Sequence, residues 1–155
     1  MNNRNEWMEK LEAHPREFGG AIRGLSEAQL SKRPDDKNWA VTEVICHLRD
    51  TEELFFSRFQ NILAMNEPKL FPADAERWAA ERQYLRNDIH EALGAFRKRR
   101  EETIQFLRGL QPDQWNRVGI HSKYGPLSIE KFVELMVNHG DDHLAQLKRA
   151  LAGKP

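Results

Sequence analysis

Residues 39–64 have the sequence WAVTEVICHLRDTEELFFSRFQNILA, in which apolar side chains recur three and four positions apart. This spacing places them in one broad stripe along an amphipathic α-helix. The helix is predicted to begin near Trp39 and to stop before Pro68, and residues 66–73 are predicted to form a loop. The stripe consists of Val41, Val44, Ile45, Leu48, Leu54, Phe55, Phe59, Ile62 and Leu63.

A segment before this stretch, at about residues 4–25, has the same helical periodicity. Pro15 and the pair Gly19-Gly20 interrupt it, so a kink or two short helices are expected there. Residues 26–30 then predict one further helical turn.

Two more helical segments follow the stretch. One runs from about residue 74 to 110, either intact or broken in two near residues 86–88, and the other begins after Ser128. Residues 112–126 are predicted to be a connector, and no segment shows the sustained alternation typical of strands. Four main amphipathic helices in one domain, residues 1–155, predict an all-α four-helix bundle.

The composition excludes several classes of protein. The 155 residues include 24 Lys and Arg and 24 Asp and Glu, so the chain lacks the positive charge of a general nucleic-acid binder. The single cysteine, Cys46, allows neither an internal disulfide nor a cysteine-rich zinc site. The start of the chain lacks the apolar core of a signal peptide, and no apolar run is long enough to span a bilayer. We therefore expect a cytoplasmic protein that does not bind membranes.

His139 and His143 form the most informative pair of polar residues, because they lie four positions apart in the last predicted helix. A separation of four residues brings two side chains to one face of a helix, one turn apart. Two ligands of a single metal ion need this geometry.

His47 is a candidate for the third ligand, since it lies on the apolar side of the central helix between Val44 and Thr51. A bundle collects inward-facing side chains from different helices into one site. Three neutral imidazoles with open positions remaining would suit Zn²⁺ or Ni²⁺. The alternative from spacing alone is an exposed His139–His143 pair and a hydrogen-bonded core histidine at position 47.

For other polar and small residues the sequence predicts a role less strongly. Asp50 and Asp142 could each orient an imidazole or accept a proton, although both also fit a solvated helix surface. Gly140 could permit the close approach of another helix or a ligand. His14, beside Pro15, is predicted to be a surface or kink residue, and His121 lies in the connector with no spacing that favours a role.

Three motifs together resemble the DinB/YfiT-like superfamily, in particular its small DinB-like members. They are residues 38–52, NWAVTEVICHLRDTE, then residues 125–128, GPLS, and residues 139–146, HGDDHLAQ. The resemblance extends from about Trp7 to Leu151. The chain departs from the usual pattern at Ala40, where Ser or Thr is common, and at Gly140, where a polar residue is common.

The resemblance implies a four-helix bundle with up-down-down-up connectivity and a divalent metal at its open end. It implies that His47, His139 and His143 are the metal ligands and that the protein forms a homodimer. Trp78, Tyr84 and Trp115 are candidate interface aromatics, with covering the core as their alternative role. The family includes metal-dependent thiol S-transferases, a mycothiol-dependent isomerase and proteins named as metal-dependent hydrolases.

Three functions follow as hypotheses. The first is a metal-dependent S-transferase, which joins a low-molecular-weight thiol to a small electrophile at the open metal position. The second is a metal-dependent hydrolase that uses bound water, with Asp50, Glu53 or Asp142 as the candidate base. The third is a stress-associated metal-binding module without catalysis.

Overall fold

Four long helices, joined by shorter elements, form the structure, which is a computed structural model that describes residues 3–155. The all-α four-helix bundle predicted from the sequence is confirmed. The helices are α1 (Arg4–Ile22), α2 (Glu27–Ser31), α3 (Val41–Ala64), α4 (Ala75–Glu81), α5 (Ile89–Arg108) and α6 (Ile129–Leu151). Short 3₁₀ turns lie at Tyr84–Arg86 and Pro112–Asn116.

The helix α1 continues through Pro15, so neither two short helices nor a complete break occurs there. The third predicted segment is broken in two, as one of the alternatives had it, because α4 ends at Glu81 and α5 begins at Ile89. Asp88 caps the start of α5 by accepting hydrogen bonds from the backbone amides of His90 and Glu91.

Contacts between the long helices give their directions. Arg4 pairs with Glu130 near the starts of α1 and α6, and His14 with Asp141 further along both helices, so these two run parallel.

The helices α3 and α5 form the second parallel pair. Glu52 of α3 pairs with Arg100 of α5, and Phe56, one turn later, packs edge-on against Phe106.

The two parallel pairs run in opposite directions to each other. On α1, Glu12 pairs with Arg108 and Gly19 lies against Leu93, so the residue numbers of α5 fall as those of α1 rise. The connectivity is therefore up-down-down-up, and the early part of α3 lies beside the late part of α6.

A small three-stranded sheet lies in the segments predicted to be a loop and a connector. Its strands are β1 (Lys69–Leu70), β2 (Val118–His121) and β3 (Gly125–Ser128), with β1 parallel and β3 antiparallel to the central β2. The expectation of an entirely irregular loop and connector is wrong, because strands of two to four residues are too short to show alternation. A Cβ atom at residue 119 would lie 2.4 Å from Leu70 Cδ1, so glycine at this position of β2 makes room for the Leu70 side chain of β1.

Two apolar clusters fill the bundle, one on each side of the buried polar groups in its middle. Phe18, Val44 and Phe96 belong to the first, and Phe59, Phe132 and Met136 to the second. Two of the aromatic residues considered for a dimer interface belong to these clusters, since Tyr84 is 1% exposed and Trp115 is 6% exposed. Their role is to cover the core, and the interface role considered for them is wrong.

Candidate metal centre

Three imidazoles converge between α3 and α6. His47 lies in the second turn of α3, and His139 and His143 lie one turn apart on α6. The Nε2 atom of His139 is 3.1 Å from Nε2 of His47 and 3.1 Å from Nε2 of His143. All three residues present one ring nitrogen within 4.8 Å of the other two. The structure thus brings together the three histidines that the sequence singled out.

The hydrogen bonds of this cluster favour a cation at its centre. His143 Nδ1 donates to Gln146 Oε1 at 2.6 Å, so the neutral ring presents a bare Nε2 to His139. A single hydrogen on His139 Nε2 can serve only one of its two close nitrogen neighbours. A cation bound by all three nitrogens removes this conflict. Nitrogens that share a tetrahedral Zn²⁺ lie roughly 3.3 Å apart, close to the separations found here.

Burial lowers the pKa of all three imidazoles. For His47 the pKa falls to about 3, mainly through burial and then through His143, while the charge of Asp50 opposes the change. The pKa of His139 lies well below its usual value, again mainly because the ring is buried. Burial also lowers the pKa of His143, although the hydrogen bond with Gln146 raises it. The rings are therefore neutral at pH 7, which is the form that binds metal ions.

Trp39 covers the outer face of His47, with 5.0 Å between the ring centroids. His47 Nδ1 and Trp39 Nε1 are both buried and have no hydrogen-bond partner among residues 3–155. A metal-ligating histidine usually donates its second ring N–H to an acceptor. His47 is instead held by packing against Trp39.

The carboxylates considered for catalysis occupy different environments. Asp50 accepts hydrogen bonds from Arg49 and from the Tyr84 hydroxyl at 2.5 Å, and it pairs with Arg82 at 2.8 Å. These three partners hold the pKa of Asp50 below its usual value despite burial. Asp142 is exposed beside His143 and raises the pKa of that imidazole through its charge.

Glu53, the third candidate base, points to α5 and not to the imidazoles. Its carboxylate pairs with Arg99 at 2.9 Å.

A second histidine site, which the sequence reasoning missed, lies directly behind the cluster. His14 is 1% exposed, so its prediction as a surface residue is wrong. Its Nε2 lies 2.9 Å from Asp141 Oδ1, and its Nδ1 lies 3.3 Å from the buried guanidinium of Arg100. A Cβ atom at residue 140 would lie 2.2 Å from His14 Cε1, so glycine at that position makes room for the ring. The close approach predicted as one role of Gly140 is confirmed.

Two neighbouring cavities open onto the cluster, and both are lined by His47 and Ala75. The first has a volume of about 320 Å³ and reaches His47 and His139, and the second has a volume of about 370 Å³ and reaches His47 and His143. The first is also lined by Arg58, His121, Lys123 and Tyr124. The second is also lined by Lys37, Asn38, Trp39, Glu76 and Gln146.

The hairpin of β2 and β3 places His121 at the first cavity. His121 is 6% exposed, and its Nδ1 accepts hydrogen bonds from the backbone amides of Lys123 and Tyr124 at 3.1 and 3.3 Å. No local pattern in the sequence indicates this position, because His121 is placed by the pairing of β2 with the distant strand β1.

No helix within residues 3–155 is long and apolar enough to cross a membrane.

Comparisons with known proteins agree with this fold. The model of the DinB superfamily matches residues 10–147. An Oceanobacillus iheyensis protein named "Putative metal-dependent hydrolase" is 28% identical over 143 residues, which cover 92% of this chain and 83% of that protein. The solved structure of YfiT from Bacillus subtilis, described as "a probable metal-dependent hydrolase with an unusual four-helix bundle topology", superposes with a TM-score of 0.90 at 22% identity, and the match covers 100% of this chain and 91% of that one. The mycothiol-dependent maleylpyruvate isomerase superposes with a TM-score of 0.74 at 8% identity, covering 92% of this chain and 60% of that one.

Proposed function

This chain belongs to the DinB superfamily, and we propose that it is a divalent-metal-dependent enzyme that acts on a small molecule. His47, His139 and His143 are the proposed ligands, and Zn²⁺ or Ni²⁺ is the proposed metal. The observation that carries this proposal is the convergence of three neutral ring nitrogens, two of them 3.1 Å from the third. Relatives named as metal-dependent hydrolases support the same reading.

The proposed reaction joins a low-molecular-weight thiol to a small electrophile: the S–H bond breaks, the sulfur bonds to the electrophilic atom, and the proton leaves with the displaced group. When bound, a divalent ion with an open position supplies Lewis acidity and lowers the pKa of a coordinated thiol or water. Two cavities that share His47, one reaching His139 and the other His143, could hold two organic reactants and so support this reaction over hydrolysis. The hydrolase hypothesis requires only one such cavity. The names of the relatives support this hypothesis.

The residues around the imidazoles have proposed supporting roles. Gln146 fixes the ring of His143, with Nε2 free to bind. Asp142 is the better candidate for a proton acceptor, because Asp50 is already held by Arg49, Arg82 and Tyr84. We propose that Asp50 instead acts on His47 through its charge.

Metal titration tests the ligand set. Metal-free protein should bind one Zn²⁺ or Ni²⁺ per chain, and His143→Ala should weaken that binding by more than the 10- to 100-fold typical of losing an outer-shell partner. The matched control is His90→Ala, which removes an exposed histidine on α5. Equal affinity in the wild type and in His143→Ala would remove His143 from the ligand set.

Turnover assays test the reaction. Metal-loaded protein is offered small thiols with electrophiles in one panel, and esters and amides in water in another. Chelation should abolish turnover and added metal should restore it, and chelator-resistant turnover would refute the mechanism. No turnover in either panel would favour the third hypothesis, a metal-binding module without catalysis.

The homodimer and the cytoplasmic location stay predictions. Sedimentation that finds only a monomer at micromolar concentration would count against the dimer.

A further inference from the structure

The cavity between α3 and the β2–β3 hairpin has an unusual charge balance. Arg58, Lys123 and His121 line it beside the two imidazoles His47 and His139, and none of its described lining residues is an aspartate or a glutamate. This cavity therefore has two cations in its lining, Arg58 and Lys123, and no described carboxylate beside them.

Arg58 is the central cation of this cavity. It is 8% exposed, and its guanidinium donates a hydrogen bond to the backbone carbonyl of Phe71. It also packs over the Phe132 ring at 5.5 Å, but no carboxylate among residues 3–155 forms an ion pair with it. Burial lowers the pKa of Arg58 by limiting the access of water to its charge. A buried cation without a counter-charge is costly, and a bound anion would offset that cost.

His121 adds a hydrogen-bond donor next to this cation. Its Nδ1 accepts two backbone hydrogen bonds, so the proton of the neutral ring is on Nε2. Within the described part of the chain this Nε2–H has no hydrogen-bond partner. The hairpin thus fixes the ring with its donor nitrogen unused.

We propose that the first cavity binds the oxyanion of a substrate, a carboxylate or a phosphate, through Arg58 and His121. The rest of the substrate then lies against His47 and His139. The inference deepens the function proposed above, since it assigns a small anionic molecule as the substrate class of that site. Arg58 and His121 act as specificity-determining residues, because each offers N–H donors that an uncharged analogue would use less well.

The test measures binding to metal-free protein, so that its result does not depend on the metal or on turnover. Calorimetric titration uses three probes that share a phenyl ring and differ in charge: benzoate, phenyl phosphate and benzamide. Benzoate or phenyl phosphate should bind about 10- to 100-fold more tightly than benzamide, the ratio expected from one or two charge-assisted hydrogen bonds. The tighter of the two anions identifies the oxyanion that the cavity accepts.

Variants connect this preference to the two residues. Arg58→Met should abolish the preference for the anion, and Arg58→Lys should retain part of it. His121→Asn keeps an acceptor for the hairpin amides but removes the Nε2–H, and it should reduce anion binding several-fold. Arg77→Met on α4, which removes an exposed guanidinium, is the matched control and should leave the preference unchanged.

Two outcomes would overturn the inference. One is equal affinity of the wild type for benzoate, phenyl phosphate and benzamide. The other is an unchanged anion preference in both Arg58→Lys and His121→Asn, variants that leave the proposed site testable even if Arg58→Met does not fold. Metal titration of the same proteins separates this failure from failure of the proposed function, since neither residue is a proposed metal ligand.

Discussion

At the scale of single residues, the sequence predicts the relative positions of side chains that lie on the same helix. His139 and His143 share one face because four residues complete about one turn, whatever the rest of the fold does. His47 joins them only because α3 and α6 run in opposite directions, and periodicity together with the family resemblance indicated this arrangement. His14 and Gly140 could not be paired from the sequence, since their contact depends on the parallel packing of α1 against α6.

Replacing Gly140 with alanine tests this contact. The added methyl group would overlap the His14 ring, and overpacking of this kind costs about 1–3 kcal/mol of the free energy of unfolding. The matched control is Gly94→Ala on α5, where nothing lies within 4 Å of the new Cβ. The control should gain up to about 1 kcal/mol from helix propensity. Urea denaturation of both variants gives the two values, and a stabilised Gly140→Ala protein would show that His14 can move away freely.

The neutral state of His47 predicts a pH dependence of stability in chelator-treated protein. Its pKa is about 3 when folded, against 6.5 for an ordinary histidine, so between these values the unfolded chain binds a proton that the folded protein excludes. The free energy of unfolding must then fall as the pH falls. From pH 7.5 to pH 5 this one group should remove about 2 kcal/mol.

Denaturation of His47→Gln at both pH values measures this contribution. The variant should lose about 2 kcal/mol less than the wild type over the same interval. His90→Gln, at an exposed position of α5, should lose as much as the wild type. The same loss in His47→Gln and in the wild type would mean that the buried imidazole is not the source.

At the scale of secondary-structure elements, long amphipathic helices are predictable and the short pieces between them are not. The start of α3 shows how local chemistry compensates for an unusual residue. Ala40 lacks a capping side chain, but its backbone amide donates to Glu43 Oε1 at 3.0 Å, and Arg33 holds that carboxylate through two hydrogen bonds at 2.7 and 2.6 Å. One half of the capping box is therefore enough to begin the helix that carries His47.

The strands of the small sheet show the opposite case. β1 pairs with β2 about 50 positions away, and the local hairpin of β2 and β3 has strands of only four residues, so the sequence shows no sustained alternation that would predict them. The sheet nevertheless forms one wall of the first cavity, since β2 ends at His121. The part of the site that the sequence predicts least is thus the part to which we assign substrate recognition.

At the scale of the whole molecule, buried charges hold three helices together behind the histidine cluster. Arg100 of α5 donates two hydrogen bonds to Glu52 of α3, at 2.9 and 2.8 Å, and a third to the backbone carbonyl of Leu11 on α1 at 2.9 Å. Glu52 is 1% exposed and Arg100 is 3% exposed, so neither charge can be solvated if its partner is lost. The network fixes the register of these helices next to the rings that α3 and α6 bring together.

Substitution of Arg100 should therefore destabilise the protein far more than substitution of a surface arginine. Arg100→Met leaves Glu52 as an unpaired buried carboxylate, and the expected loss is about 3–5 kcal/mol of the free energy of unfolding. Arg77→Met, which breaks the exposed pair with Glu81, should cost no more than about 0.5 kcal/mol.

The double variant Glu52→Gln/Arg100→Met separates the cost of the orphaned charge from the value of the ion pair. If the orphaned carboxylate causes most of the loss, the double variant should be more stable than Arg100→Met alone, because no buried charge remains. If both proteins lose the same free energy, the main contribution of Arg100 is its hydrogen bond to Leu11 and its contact with His14. Chemical denaturation of the two single variants and the double variant completes the cycle. Zn²⁺ titration of the same proteins then measures how strongly this buried network supports the metal centre in front of it.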